Sequence, residues 1–204
     1  MKKEGVFAQR VYPLIFMALL TVVFIAGVSG LYLSTQERVE RNETIVQKKA
    51  VLYAAGIEYP ENDPVEITDL YDERVTEIGG NGRPSLFEVE LSSGETAYAV
   101  YVEGPGLWGQ IVTIFGFESD LEVITGMEVV QQNETPGLGA RINEAWFKQQ
   151  FRGAQPPFTM VPEGTADDPE ELDAITGATK TSNAMERIAN KARDIAREAV
   201  EEES

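Results

Sequence analysis

The chain has 204 residues, 43% of them hydrophobic, and its 34 acidic against 17 basic side chains give a formal net charge of −17. That is enough for one domain plus additions, while the lack of a basic stripe to neutralise phosphates excludes DNA and RNA as partners. Cysteine and histidine are both missing, which excludes disulfides, iron–sulfur clusters, thiolate or imidazole zinc sites, His-ligated haem and Ser-His-Asp catalysis; a redox role would need a cofactor such as flavin, and a metal would have to be calcium or magnesium on carboxylates.

Residues 11–36 carry no charge, and 13–33 are almost wholly apolar, long enough to cross about 30 Å of hydrocarbon as one helix. Lys2, Lys3 and Arg10 precede this run, and Glu37, Arg38, Glu40, Arg41 and Glu43 follow it. Basic flanks stay on the cytoplasmic side, so residues 1–12 are expected in the cytoplasm, with the rest of this single-pass chain outside. The alternative is a cleaved signal peptide, with small residues at Gly27-Val28-Ser29-Gly30. The apolar run exceeds a signal core of about 7–15 residues, which favours a retained anchor. Ala26 and Gly30 form one small-xxx-small pair, a weak signal for helix contact by itself. Without residues 1–36 the chain keeps 14 basic and 33 acidic residues, a charge of −19.

Residues 34–82 read as a helical stalk and linker. The spacing predicts a helix over 42–55, with Ile45, Val46, Ala50, Val51, Tyr53 and Ala54 on a broad apolar face and Asn42 or Thr44 as its cap. A turn-rich break at 59–64, a short polar helix over 64–77 and a flexible loop at Gly79-Gly80-Asn81-Gly82 follow. Strands are predicted at 85–91 and 96–102, joined as a hairpin by Ser92-Ser93-Gly94-Glu95, and again at 110–117 and 121–130. A short helix is expected over 144–151 and an irregular proline-rich stretch over 154–168. The last helix runs to about residue 201, with Met185, Ile188, Ala189, Ala192, Ile195, Ala196 and Ala199 on one packed face. Glu201-Glu202-Glu203 reads as solvated tail. The fold class expected is α+β: one N-terminal transmembrane helix, then a mixed or antiparallel sheet flanked by helices, with the folded domain over 83–204.

Three segments concentrate residues that can carry chemistry. In Glu103-Gly104-Pro105-Gly106-Leu107-Trp108-Gly109, glycines let backbone approach a ligand closely and present a flat aromatic; the plainer reading is a β-turn with Trp108 in the core. Asn133-Glu134-Thr135-Pro136-Gly137-Leu138-Gly139 sits between a strand and a helix; the plainer reading is an ordinary loop, since the third glycine of a dinucleotide fingerprint is absent. Leu172-Asp173-Ala174-Ile175-Thr176-Gly177-Ala178-Thr179-Lys180-Thr181-Ser182 lies just before a helix N-terminus, where free N–H groups and the helix dipole favour an anion. In a domain this acidic, a phosphate needs such neutral donors or Lys180. The plainer reading makes Thr179, Thr181 or Asn183 the helix cap, with Asn183 and Glu186 as a capping-box-like pair.

Together the three segments resemble the FMN-binding domain shared by the G subunit of the Rnf electron-transport complex and the C subunit of the sodium-translocating NADH:quinone oxidoreductase. The family pattern Asp-x-x-(Ser/Thr)-Gly-Ala-Thr reads Asp173-Ala174-Ile175-Thr176-Gly177-Ala178-Thr179 in this chain, and Glu134-Thr135-Pro136-Gly137-Leu138-Gly139 and Gly106-Leu107-Trp108 resemble its second and third signatures. The resemblance covers roughly residues 87–192 and the anchor. It implies FMN on Thr179 through a phosphoester, in a loop shaped by Asp173 and Thr176 with Gly177 and Ala178. It also implies that Leu107, Trp108 and Leu138 pack on the isoalloxazine, that Thr135 and the amides near Gly137 and Gly139 bond its polar edge, and that Glu134 disfavours anionic reduced flavin.

A separate flavin transferase, using FAD and magnesium, would attach the FMN half to Thr179 with AMP leaving. The chain is then the acceptor and not the catalyst, and no residue is assigned a catalytic or metal-ligating role. The implied function is a membrane-anchored flavoprotein subunit of an ion-translocating electron-transport complex, with the other membrane subunits as partners and the flavin domain on the extracytoplasmic side. The short chain favours the Rnf G subunit, whereas Gly106-Leu107-Trp108 and Thr181-Ser182-Asn183 lean toward the C subunit of the quinone reductase. A stand-alone extracytoplasmic flavin reductase and a plain extracellular binding or scaffold domain are the other readings.

Overall fold

The computed structural model describes residues 11–60, 62–78 and 86–203, so the positive N-terminal flank and the loop at 79–82 lie outside the described residues. Helix α1 runs Tyr12–Ala54 without a break. No proline or glycine falls between residues 34 and 44, so nothing stops the helix there. Asn42 and Thr44 are therefore interior positions and not caps, and the helix expected over 42–55 is the far end of α1.

The chain divides into two units, residues 1–44 and residues 45–204. In the first, Tyr12–Gln36 contains an 18-residue window of mean hydropathy 2.5, none of it buried. A run this apolar suits lipid, and at 1.5 Å per residue it is long enough to cross. Thr21 Oγ1 donates to Met17 O at 2.8 Å and Ser34 Oγ to Leu31 O at 2.8 Å, so these two hydroxyls are satisfied within the helix, as a medium without water requires.

The second unit is built on one five-stranded antiparallel meander: β1 (Val75–Ile78), β2 (Leu86–Glu90), β3 (Thr96–Pro105), β4 (Gln110–Phe117) and β5 (Ile124–Gln131). Both faces are covered. On one, Ala50, Val51, Leu52 and Ala54 from the end of α1 pack with Ile67 and Tyr71 of α2 (Pro64–Arg74) against Phe87, Val89, Ala99 and Ile114. On the other, Met185, Ile188, Ala189, Ala192 and Ala196 of the final helix pack against Val100, Val102, Phe115 and Phe117. A strand buried on both sides needs apolar residues without alternation, and every residue of β4 from Ile111 to Phe117 is buried.

Helix α2 starts where Asp63 Oδ1 accepts from the amides of Val65 and Glu66 at 3.0 and 3.2 Å. It ends at Arg74 and not at residue 77, because β-branched Val75 and Thr76 go into β1 and pair with β2. Strand β3 outruns its expected end at 102, since Glu103, Gly104 and Pro105 pair with Val112, Ile111 and Gln110. The stretch 154–168 is not wholly irregular: Thr159–Val161 (β6) pairs in parallel with Glu171–Asp173 (β7). A 3₁₀ turn at Gly139–Asn143 leads into a short helix α3 (Ala145–Gln149).

The final helix, α4 (Thr179–Glu203), holds the preceding segment through side chains. Asn190 accepts from Phe158 N at 2.6 Å and donates to Phe158 O at 3.0 Å, Glu186 accepts from Met160 N at 2.9 Å, and Arg193 donates to Pro156 O at 2.9 Å. Glu186 is thus used for tertiary structure, and Asn183 with Glu186 is not a capping box.

The end of α1 is pinned to the sheet at close range. Thr125 Oγ1 donates to Ala54 O at 2.6 Å, and a Cβ at Gly116 would lie 2.0 Å from that same oxygen. Backbone on both sides leaves no room to yield. Gly116→Ala is expected to destabilise the protein by about 3 kcal/mol, lowering the melting temperature of the detergent-solubilised chain by roughly 6–12 °C. An unchanged melting temperature would refute the close approach.

Candidate functional site

The first of the three segments is the β3–β4 hairpin turn, closed by Gly106 N donating to Gly109 O at 2.8 Å. A four-residue turn has no interior, so it presents its side chains outward. Leu107 is 46% exposed and Trp108 68% exposed; the reading of Trp108 as a core residue is therefore wrong. The second segment leaves β5 and turns at Gly137, whose φ of 73° suits glycine, leaving Leu138 43% exposed.

Glu134 joins these segments to the third. Its Oε1 accepts from the amides of Leu107 and Trp108 at 2.8 and 3.1 Å, and its Oε2 accepts from Thr181 Oγ1 at 2.6 Å. Glu134 is only 5% exposed and Thr181 1%. Two of the glycines make room for it: a Cβ at Gly106 would lie 2.5 Å from Glu134 Oε1, and one at Gly139 2.8 Å from Oε2.

The third segment turns at Gly177, with φ 80°, into α4. Thr179 is exposed at the first position of that helix. The amides of Thr179, Lys180 and Thr181 precede the first bond of the ladder, Ser182 N to Ala178 O at 3.0 Å, so this end offers N–H groups and a positive dipole end. Ser182 secures the turn from behind, its Oγ accepting from Ile175 N at 2.9 Å and donating to Ala178 O at 3.2 Å. The helix begins at Thr179, so Thr181 and Asn183 lie within it and neither is its cap.

Leu107, Glu134, Thr135, Leu138, Gly139 and residues 177–181 line one cleft of about 310 Å³. The fold therefore brings together most of the residues that sequence reasoning singled out. Trp108, Gly137, Asp173 and Thr176 stand outside that lining. Asp173 is committed to a loop: its Oδ1 accepts from the amides of Gly164, Thr165 and Ala166 at 2.9, 2.9 and 3.0 Å. Thr176 donates its amide to Glu163 Oε2 at 2.8 Å, and Glu163 is paired with Arg141 at 3.0 Å. Sequence reasoning missed Arg141, Glu163 and the linking role of Thr181. Arg141 and Glu163 lie 22 positions apart in different elements and give no local signal, whereas Thr181 adjoins the motif but reads locally as a helix cap.

The cleft fits a flavin phosphate on chemical grounds. Among the described residues lining it, Glu134 is the one acid, and its oxygens already accept three hydrogen bonds. A phosphoryl group at Thr179 would meet helix amides and the Lys180 ammonium, while Leu107 and Leu138 give an aromatic ring an apolar surface.

Residues 106–194 match the family model described as FMN-binding domain. The chain is 33% identical over 152 residues to the G subunit of the Na(+)-translocating ferredoxin:NAD(+) oxidoreductase complex of Acetobacterium woodii, covering 71% of this chain and 69% of that one. The chain belongs to the FMN-binding domain family. Among its relatives is also the C subunit of the Na(+)-translocating NADH-quinone reductase of Vibrio anguillarum, 33% identical over 95 residues, which cover 43% of this chain and 37% of the relative. The fold matches the crystal structure of the C subunit of that reductase from Parabacteroides distasonis, with a TM-score of 0.67 at 21% identity over 78% of this chain and 94% of that chain.

The Arg141–Glu163–Thr176 link carries an acid dependence. Its hydrogen bond from Arg141, and next that from the Thr176 amide, hold Glu163 at about 2 against an ordinary 4.5. A depressed folded value supports the fold above the ordinary value and loses that support as pH falls through about 2. Thermal melts between about pH 5 and pH 2 are expected to fall less steeply for Glu163→Gln than for the wild type. Equal slopes would show that the link does not couple to folding.

Proposed function

We propose that this chain is the membrane-anchored flavoprotein subunit of an ion-translocating electron-transport complex, equivalent to the G subunit of the Rnf type, carrying electrons on FMN joined to Thr179 by a phosphoester. The observation that carries the reading is the exposed Thr179 hydroxyl at the start of α4, in the same cleft as both other motifs. The flavin supplies the electron chemistry, and the protein supplies placement, electrostatics and a tether. Outside the cytoplasm a dissociated flavin would be lost, which gives a covalent link its advantage.

Attachment forms a bond from Thr179 Oγ to the phosphorus of the FMN half of FAD and breaks the pyrophosphate, with AMP leaving. A separate flavin transferase with magnesium performs this step and takes the hydroxyl proton, since the carboxylate of Glu134 is already engaged by Thr181 and two amides. Leu107 and Leu138 then offer the ring an apolar wall, Thr135 and the Gly139 amide its polar partners, and Lys180 a counter-charge to the phosphoester. Asp173 and Glu163 keep the acceptor loop in shape through backbone amides.

Tyr12–Gln36 anchors the chain in the membrane, with the flavin domain on the extracytoplasmic side and other membrane subunits as partners. The Vibrio anguillarum relative supports a second reading, the C subunit of the NADH:quinone reductase. The match to the Acetobacterium woodii G subunit takes in 69% of that relative, against 37% for the Vibrio protein, which favours the first reading. Co-purification with multi-span membrane subunits supports either complex, and turnover by the isolated protein supports a free-standing reductase instead.

Co-expression with a flavin transferase, followed by denaturing electrophoresis, is expected to leave a fluorescent flavin band in the wild type and in Thr176→Ala, and none in Thr179→Ala. A dark wild-type band sinks the covalent reading. A fluorescent Thr179→Ala band moves the attachment to another residue.

A further inference from the structure

We infer that Glu134 and Thr181 act as a positioning pair, holding the Leu107–Trp108 turn against the acceptor end of α4. The inference deepens the flavin reading, and rests on it only for its readout in the loaded protein. Neither side chain reaches the cleft with a free group: Glu134 accepts two amides on one oxygen and the Thr181 hydroxyl on the other, at 2.8, 3.1 and 2.6 Å.

The pair spans 47 positions of sequence, and the bonds from Glu134 back to the turn span 27 and 26. No other side-chain bond links the turn 106–109 to the loop at 134 or to α4 among those the structure records for the described residues. Strand β3 leads into the turn and β4 leads out, and the turn is closed by the Gly106 N to Gly109 O bond, which leaves the Leu107 and Trp108 amides at its tip to be held from outside the hairpin. The amides of Leu107 and Trp108 are held by Glu134, and Glu134 is oriented by Thr181, two residues along the helix from Thr179. A shift of Thr181 is thereby passed to the exposed aromatic beside the cleft.

The glycines enforce the arrangement. A side chain at Gly139 would lie 2.5 Å from Thr181 Oγ1, and one at Gly106 2.5 Å from Glu134 Oε1. A side chain at Gly139 would crowd the Glu134–Thr181 contact, and one at Gly106 the bond from Glu134 to the turn amides. Placement of this kind matters because small displacements of reacting or stacking groups are felt steeply. Thr181 is thus a positioning residue and not a helix cap, and Glu134 works through the backbone it holds.

Backbone amide hydrogen exchange in the flavin-free full-length protein tests the pair without reference to the cofactor. Thr181→Val keeps the shape and removes the hydroxyl. It is expected to speed exchange of the Leu107 and Trp108 amides about tenfold, the scale expected for weakening a hydrogen bond to a charged group. Thr181→Ser is expected to restore the wild-type rates. Glu134→Ala combined with Thr181→Val is expected to speed exchange no more than Glu134→Ala alone, as for two members of one contact.

A role of Thr181 confined to packing would leave the amides of the distant turn unchanged. Wild-type exchange at Leu107 and Trp108 in a folded Thr181→Val protein overturns the inference, as does an additive double variant. If Thr181→Val fails to fold, the same comparison made on Thr181→Ala decides it in the same way. In protein loaded by a transferase, Thr181→Val is expected to shift the flavin absorption band and Thr181→Ser to return it; an unshifted Val band overturns the inference. A wild-type protein that takes up no flavin refutes the flavin reading and leaves the exchange result standing.

Discussion

A carboxylate is expensive to bury unless its oxygens find donors, and the site of this protein is organised around one that does. Glu134 is 5% exposed and accepts three hydrogen bonds from donors in two other segments. Removing the Thr181 hydroxyl would leave Oε2 a buried acceptor without a donor, a loss of roughly 1–3 kcal/mol. The constraint therefore runs both ways: the acid holds the β3–β4 turn and α4 in register, and those elements must stay in register to satisfy the acid. Gly106 and Gly139 are glycine because the carboxylate occupies the space their side chains would need.

The same arrangement settles the electrostatics of the cleft. The part of the chain beyond residue 36 has a charge of −19, a poor setting for a phosphate. What favours a phosphate there is local: residues 179–181 at the N-terminal end of α4 line the cleft, where unbonded amides and the dipole favour negative charge, and the one acidic lining residue has its oxygens bonded by donors of the protein. Nearby acids are turned to structural use in the same manner. Asp173 ties the loop at 164–166 and Glu163 the amide of Thr176, so the residues around the threonine motif are spent on shaping its loop.

Elements whose form depends on nearest neighbours were legible in the chain. The uncharged run at 11–36, the apolar strand 110–117 and the face of α4 at Met185, Ile188, Ala189, Ala192 and Ala196 all follow from local pattern, because each run or face meets one environment along nearly all its length. Where two elements compete for a boundary, pattern failed. Helix α2 gives way to β1 at Val75 because β2 supplies a partner, and the proline-rich stretch forms β6 because β7 lies alongside. Helix α1 passes through Asn42 and Thr44 because capping residues cap only where a helix has reason to stop.

The threonine motif, the glycine-rich turn and the Glu134 loop were each identifiable by themselves, and their shared family could be named from the residues alone. Composition and order determined a membrane anchor, an α+β domain and the absence of Cys- and His-based cofactor chemistry, since each rests on residue type or periodicity. Only the tertiary structure decided that Trp108 faces solvent, that Asp173 is occupied by loop amides, and that Thr181 meets Glu134. The Glu134 contacts join segments 26 to 47 residues apart, and a hydrogen bond at that separation is set by how the sheet and helix pack, which no local pattern encodes.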